Sequence, residues 1–367
     1  MIYTIIAIAI IIVLLYLLIT SREVFGAEAK GKRLERMQQS EHYKNKQFQN
    51  LRFTPQLAEG YSMSKVIFDF LFRKKDPLLK PVNSIPAVHT DIKNMPKDQD
   101  FFIWLGHSSY YIRIEGVSFL VDPVLSSYGS PFSFFNKSFA GADVFTPEDV
   151  PHLDYLVITH DHYDHLDYPT VKAIRERVGK VILPLGVGAH LEKWGYQPEQ
   201  LIEEDWGSEV LLKHNIKITF TPARHFSGRK IKRNTTLWTS YVLETPGQKL
   251  FLGGDSGYDT HFKMIGKKYG PFDYAIIENG QYNEAWKYIH ALPEDVIQAS
   301  MDLNAKNIIP VHSSKFALAL HAWNEPLEKI TRLGKDYGLN ILTPMIGEPV
   351  NLKQTDHHFK IWWKDQP

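Results

Sequence analysis

One short run constrains this chain more than any other: Thr159-His160-Asp161-His162-Tyr163-Asp164-His165. It leaves an apolar stretch, Leu153 to Thr159, that reads as a strand. Three histidines and two aspartates fall within the six positions His160 to His165. On a helix, such a density would scatter the side chains around several faces. On a loop leaving a strand end, several of them can aim at one point. Imidazole nitrogen and carboxylate oxygen ligate zinc, and iron or manganese with less preference. The chain contains no cysteine. Disulfides and thiolate sites are therefore excluded, and a transition-metal site must be built from histidine and carboxylate.

The rest of the chain divides by texture. Ile2 to Ile19 is almost unbroken aliphatic sequence, interrupted by Tyr3, Thr4 and Tyr16. A helix of about 18 to 20 residues spans roughly 30 Å of hydrocarbon. Residues 1–20 thus read as a single-pass transmembrane anchor. Arg22, Lys30, Lys32, Arg33 and Arg36 follow it and no Lys or Arg precedes it, which puts the body on the cytoplasmic side of the membrane. A cleaved secretory signal ending near Ala27-Glu28-Ala29 is the alternative. The missing positive n-region and the length of the run weigh against it. Residues 21–99 form a polar and amphipathic segment, with a charged helix expected over Lys30 to Asn50. Ser64 to Phe72 reads as a stretch packing on the main domain, with a membrane-surface contact as the other option.

Residues 100–350 read as the main folded domain and 351–367 as a C-terminal tail. Strands are expected at Phe101–Leu105, Tyr110–Ile114, Val117–Val121, Lys180–Leu185, Glu209–Leu212, Ile216–Pro222, Leu237–Glu244, Lys249–Leu252, Phe272–Glu278, Asn307–Val311 and Ile341–Pro344. Helices are expected at Tyr168–Val178, Gly188–Trp194, Pro293–Leu303 and Glu325–Gly334. Strands in blocks with helices late in each half suggest an α/β fold of two packed sheets with helices outside, a four-layer αββα sandwich. The formal net charge of +1 gives no basic field for nucleic acid.

His160-x-His162-x-Asp164-His165 resembles the HxHxDH motif of the metallo-β-lactamase superfamily. In that superfamily further ligands lie at the ends of later strands. The positions that match are His225 in Pro222-Ala-Arg-His225, Asp255 in Leu252-Gly-Gly-Asp255, and His312 in Ile309-Pro-Val-His312. The resemblance implies that His160, His162 and His225 hold one metal and that Asp164, His165 and His312 hold a second. Asp255 would bridge them. Two zinc ions about 3.5–4 Å apart would share a water that acts as hydroxide nucleophile; iron or manganese is admitted by the same ligands. Asp122 in Val121-Asp122-Pro123 resembles the motif residue that supports such a site from behind. Asp161 reads equally as an outer partner of the site or as a surface carboxylate.

Finer similarity narrows the class. Trp104-Leu-Gly-His107-Ser-Ser109, Phe119-Leu-Val-Asp122-Pro123, Gly254-Asp-Ser-Gly-Tyr258 and His290-Ala-Leu-Pro-Glu-Asp295 resemble the N-acylphosphatidylethanolamine-hydrolysing phospholipase D family. Asp161 stands where that family has Asn, and Ile277-Glu278-Asn279-Gly280 carries a charge where the animal enzymes are more apolar. The resemblance implies phosphodiester hydrolysis of an N-acylated phosphatidylethanolamine, releasing an N-acylethanolamine and phosphatidic acid. Asp164 and Asp255 would take part in catalysis. His290 matches a pocket histidine that could orient phosphate or move a proton, and His321 is a weaker candidate for the pocket rim. The implied partners are a membrane phospholipid and, through residues 1–20, the membrane itself; a homodimer is compatible with the sequence. A lactonase, or a phosphodiesterase with another substrate, uses the same site, and a membrane-tethered lipid-binding protein without catalysis is the alternative from another class.

Overall fold

The computed structural model describes residues 2–364, apart from the side chains of residues 2, 5, 7–9, 12, 13 and 15. The chain opens with helix α1 (Ile2–Thr20). A tight turn at Glu23–Phe25 leads to α2 (Gly31–Gln39), a hairpin of β1 (Tyr43–Lys44) and β2 (Gln47–Phe48), and α3 (Met63–Phe72). Next come β3 (Phe101–Trp104), β4 (Tyr110–Ile114), β5 (Val117–Val121), β6 (Leu153–Val157), α4 (Tyr168–Ile174), β7 (Val178–Pro184), α5 (Gly188–Lys193) and β8 (Leu201–Glu204). The second half holds β9 (Glu209–Leu211), β10 (Lys217–Thr221), β11 (Ser240–Glu244), β12 (Lys249–Leu252), α6 (His261–Tyr269) and β13 (Phe272–Glu278). It ends with α7 (Pro293–Asp302), β14 (Ala305–Val311), α8 (Glu325–Asp336), β15 (Asn340–Ile341) and β16 (Pro349–Asn351).

Among the described residues, these strands build two seven-stranded sheets, ordered β16-β3-β4-β5-β6-β7-β8 and β15-β14-β13-β12-β11-β10-β9. Alternation along the strands explains the layers. Tyr241, Leu243, Leu250 and Leu252 point into the core shared with the first sheet. Val242 and Phe251, their neighbours in sequence, point outward and are covered by Phe262, Ile265, Val296, Ile297 and Ile330 of α6, α7 and α8. Strands buried on both faces read as continuous apolar runs, as Lys249–Leu252 does after its first residue. This is the αββα sandwich expected from the sequence.

Strand direction then sets where chemistry can occur. β5 to β8 are mutually parallel, as are β12 to β15. β10 and β12 are both antiparallel to β11 and so run the same way. The carboxyl ends of β5 and β6 in one sheet, and of β10, β12, β13 and β14 in the other, all open on one edge of the sandwich.

Several sequence expectations change on folding. The charged helix expected over Lys30 to Asn50 stops at Gln39, and a hairpin follows. Asn45 and Lys46 take φ of 55° and 63°, the turn type that a two-residue hairpin needs. Phe48 is buried and its ring meets Tyr43 at 4.9 Å. The strand expected from Leu237 begins only at Ser240, because Leu237 N–H donates to Leu185 O and Thr239 N–H to Thr159 O, tying this stretch to the other half of the molecule. The helix expected to Val178 gives way after Ile174 to one tight turn, and Val178 opens β7. β8 and β16 are two strands that the sequence reading lacked. Residues 2–20 form α1, but residue 1 and several side chains of that stretch lie outside the described residues. Among the described residues, no helix is long and apolar enough to cross a membrane. The anchor expected there is therefore not supported.

The segment before the sandwich is fastened to it by a half-buried ion pair. Arg33 reaches Glu203 at 2.7 Å and Glu192 at 2.6 Å. Glu203 is buried, and its other oxygen accepts from Gly186 N–H at 2.5 Å. Removing the guanidinium leaves a buried carboxylate without its counter-charge, which costs about 3 kcal/mol or more. The expected result in urea unfolding is a loss of about that size for Arg33→Ala. For Arg36→Ala, whose pair with Glu204 is exposed, the loss should stay below about 1 kcal/mol. Equal effects of the two changes would show that Arg33 does not fasten the segment.

Candidate metal centre

The loop that leaves β6 brings three of its ring nitrogens to the open edge. His160 Nε2 lies 2.9 Å from His162 Nδ1, which lies 3.2 Å from Nε2 of His225, beyond β10. Ligand atoms around a tetrahedral zinc, at about 2.0–2.1 Å from the ion, sit about 3.3 Å apart. His162 Nδ1 lies near that spacing from both of its neighbours. Asp255, just after β12, places Oδ2 3.8 Å from His160 Nε2 and 3.7 Å from His225 Nε2. His160, His162, His225 and Asp255 thus form one group able to hold a metal. A second such group joins Asp164 and His165 to His312, beyond β14, and to His107, between β3 and β4. Asp255 leans into this group too, with Oδ2 3.2 Å from His165 Nε2 and Oδ1 3.1 Å from His312 Nδ1.

Outward partners fix which nitrogen faces the centre. His225 Nδ1–H donates to Ile289 O at 2.8 Å. His165 Nδ1–H donates to Asp122 Oδ2 at 2.8 Å. Thr159 Oγ1–H donates to the same carboxylate at 2.6 Å, which leaves that hydroxyl to accept from His160 Nδ1–H at 3.0 Å. Asp122 also accepts from Thr159 N–H. One carboxylate at the end of β5 therefore sets the start of the histidine loop and the tautomer of two rings. His107, Asp122 and His312 are held at φ of 51°, 41° and 66°. Such strain in residues other than glycine gathers where function over-determines the backbone.

Electrostatics test the fit of a cation. Burial opposes ionisation of Asp164 and Asp255, yet the surrounding imidazoles hold both carboxyls well below the usual carboxylate range. His165 is pushed well up despite its burial, because Asp255, Asp164 and Asp122 surround it. The centre thus demands positive charge at this point. Burial keeps His160, His225 and His312 neutral, the form that ligates metal. His165 Nε2, His312 Nε2 and Asp255 Oδ1 are buried with no hydrogen-bond partner among the described residues. Unpaired lone pairs at this depth are costly unless an ion takes them. The residues present fit a metal pair.

A cavity of about 290 Å³ opens above the centre. His162, Asp164, Asp255, His290 and His312 lie at its floor, and Leu57, Met63, Val66, Phe70, Trp286 and Leu318 form much of its wall. His290 is present as expected. Its Nδ1 meets Glu278 Oε2 at 2.8 Å, and the ring stacks on His312 at 5.3 Å. Burial pushes Glu278 up to about 7, with His290 opposing, while Glu278 outweighs burial to raise His290 to about 9. His321 is not at this rim. Its Nδ1–H donates to Ala322 O, its Nε2 accepts from Gln281 N–H, and it lines a neighbouring polar cavity. Its role is to order Gln281, which does line the metal cavity. Asp161 is buried rather than on the surface. His107 and Glu278 are the two members of the centre that the sequence reading did not place there.

This edge-mounted cluster on an αββα sandwich is the arrangement of a metal-dependent hydrolase. The chain belongs to the metallo-β-lactamase superfamily: the model of the beta-lactamase superfamily domain matches residues 118–313. Its homologues include an N-acyl-phosphatidylethanolamine-hydrolyzing phospholipase D of Caenorhabditis elegans, 33% identical over 64% of this chain and 69% of that one. An uncharacterized protein of Mycobacterium tuberculosis is 33% identical over 92% of this chain and 91% of its own length. Among solved structures, the metallo hydrolase Igni18 of Ignicoccus hospitalis aligns at a TM-score of 0.52 and 23% identity, covering 69% of this chain and 97% of that one, which shows a shared fold.

The geometry makes Asp122 the outer residue with most to lose. An amide at this position offers one acceptor where three donors converge. Its NH₂ must then face either Thr159 N–H or the Thr159 Oγ1–H and His165 Nδ1–H pair, so at least one hold on the histidine loop is lost. The expected outcome for Asp122→Asn is a fall in metal affinity of about 10–100-fold, read by chelator competition on folded protein. Unchanged affinity would remove Asp122 from the site's support.

Proposed function

We propose that this chain is a two-metal phosphodiesterase acting on a phospholipid, with N-acylphosphatidylethanolamine as the substrate class. The observation that carries the reading is the pairing of two His/Asp groups, sharing Asp255, with a cavity whose wall is largely apolar. A phosphate needs the first and acyl chains need the second. On this reading His160, His162 and His225 hold one ion, Asp164, His165 and His312 the other, and Asp255 both, with His107 bracing Asp164 at 2.9 Å. Metal ions at such a site activate water and neutralise charge on phosphoryl oxygens. The chain's own residues do the rest. The His290–Glu278 pair stands beside the reacting phosphate, where it orients an oxygen and carries the proton for the departing alkoxide. Met63, Val66 and Phe70 of α3 exclude water from the apolar wall.

The outer face of α3 supports a lipid substrate. Ile67, Phe68, Leu71 and Phe72 are each more than half exposed, and Arg73, Lys74 and Lys75 follow at once. An apolar helix face bordered by cations suits an anionic lipid surface, from which a substrate could enter the cavity on the helix's other side. The expectation that Ser64 to Phe72 simply packs on the domain covers only this inner side.

The test is hydrolysis of N-acylphosphatidylethanolamine in detergent micelles by metal-loaded protein, with a soluble aryl phosphodiester alongside. Asp164→Asn and His312→Ala should each lower turnover of both substrates by at least about a hundred-fold, since losing a ligand exceeds losing an outer partner. Val66→Asp should raise KM for the lipid and spare the soluble ester. Turnover of the soluble ester alone would leave a metal phosphodiesterase and discard the lipid. A lactone hydrolysed in preference to both would favour the lactonase reading.

A further inference from the structure

We infer that the segment Glu23–Ala27, between α1 and the body of the protein, is a strap that positions the histidine loop, with Arg229 as the pin joining the two. The inference rests on the metal reading of that loop, and it names residues that face away from the metals.

Arg229 is a buried guanidinium. Its Nε and Nη2 both donate to Val24 O, at 3.0 and 2.8 Å. Its Nη1 donates to Asp161 O and to Leu166 O, each at 2.8 Å. Those two carbonyls bracket His162, Asp164 and His165. One planar group thus closes the ligand loop into a ring and ties that ring to the strap. Its charge lies 4.1 Å over the Tyr163 ring and 5.2 Å over Trp194. Tyr163 O–H, from within the loop, donates back to Arg229 O at 2.5 Å. A buried guanidinium is tolerated only when its donors are satisfied. Val24 O takes two of them, so a detached strap leaves the pin under-bonded at the place where the loop depends on it.

A second hold depends on hydrogen-bond direction. Ala27 N–H donates to His190 Nδ1 at 3.0 Å, so the imidazole proton sits on Nε2. Nε2–H faces Asp161 Oδ2 at 3.3 Å, while Asp161 Oδ1 accepts from Gly228 N–H at 2.7 Å. Both oxygens at position 161 must accept. An asparagine would set its NH₂ against one of two donors, which gives Asp161 a reason to be a carboxylate. Gly26, at φ of 64°, lies so close that any Cβ would overlap the His190 ring. Lys193 Nζ donates to Gly26 O at 3.0 Å and Trp194 Nε1–H to Glu23 O at 2.8 Å. The Phe25 ring meets Tyr163 edge-on at 6.2 Å. The strap is seated from end to end, and the seats of Val24, Phe25 and Ala27 lead directly or through one residue to the ligand loop.

The experiment uses the full chain and two readouts: hydrogen exchange of the metal-free protein, and zinc affinity by chelator competition. Asp161→Asn and Gly26→Ala should speed exchange in residues 23–27 and 160–167 together and lower zinc affinity by about 10–100-fold, the range for losing outer support of a metal site. Lys193→Met removes a tether from the strap without touching the loop, and should shift both readouts the same way by less. It guards against a fold-breaking effect of the other two. Arg36→Ala, at an exposed pair nearby, should move neither. Faster exchange confined to 23–27, with zinc affinity unchanged, would overturn the inference and make the strap mere packing. Neither readout involves lipid, so failure of the parent on lipid would bear on the substrate and not on the strap.

Discussion

Asp164, half-buried, and Asp255, buried, both approach one imidazole nitrogen, His165 Nε2, at 3.8 and 3.2 Å, and most of this structure is arranged around what these carboxylates require. Removing one carboxylate from water is costly by several kcal/mol unless it is paired and hydrogen-bonded. Two such groups within reach of His165 multiply that demand, and a third, Asp122, stands directly behind it. The neighbourhood answers with imidazoles from both sheets. A proton on His165 satisfies the charge in part. A pair of dications would satisfy it more fully and would also take the lone pairs left over on His165, His312 and Asp255. The acidity of the cluster and its affinity for metal are thus one property described twice.

The sandwich meets this demand through strand direction. Each sheet gives the site only strand ends, so no ligand needs to interrupt a hydrogen-bonded ladder. The cost appears instead in the residues just past those ends, where His107, Asp122 and His312 adopt positive φ. His312 N–H donates to His107 O at 2.9 Å, so two of the strained residues brace each other across the sheets. Strain of this kind persists because packing on both sides leaves the backbone no alternative.

What the sequence made legible follows from this layout. The ligands crowded into His160–His165 are visible because one strand end supplies them all within a few positions. His225, Asp255 and His312 are visible only through order, since each is a lone residue after an apolar strand. His107 escaped because a single histidine in a Gly-His-Ser-Ser turn carries no spacing signal, and only the pairing of two sheets brings it to Asp164. Glu278 escaped for a related reason: it ends a buried apolar strand, and its partner His290 lies in a loop twelve residues on. Both sheets were legible from alternation and apolar runs. The hairpin at Tyr43–Phe48 was not, because its turn rests on left-handed Asn45 and Lys46 inside a stretch whose composition favours helix. The apolar run at residues 1–20 is the converse case: its composition suggests a membrane span, and among the described residues no helix is long and apolar enough to cross a membrane.

The superfamily match spans residues 118–313, and it contains the histidine loop, His225, Asp255 and His312. It leaves out part of the wall that encloses them. Gln56, Leu57, Met63, Val66 and Phe70 of the cavity wall come earlier, and Leu318 comes later. Asn50 also lies earlier. Its amide group donates to His225 O at 2.8 Å and its oxygen accepts from His225 N–H at 3.1 Å, so an upstream residue braces a member of the histidine cluster through its backbone. The shared domain therefore accounts for hydrolytic chemistry, which many substrates could use. On the reading proposed above, the choice of substrate would fall largely to residues 21–99, which supply Leu57, Met63, Val66 and Phe70 of the apolar wall and carry the exposed apolar face of α3. On that reading, a relative that kept the matched domain and lost α3 would retain His160, His162, His225 and Asp255 and lose part of the apolar wall that would seat acyl chains.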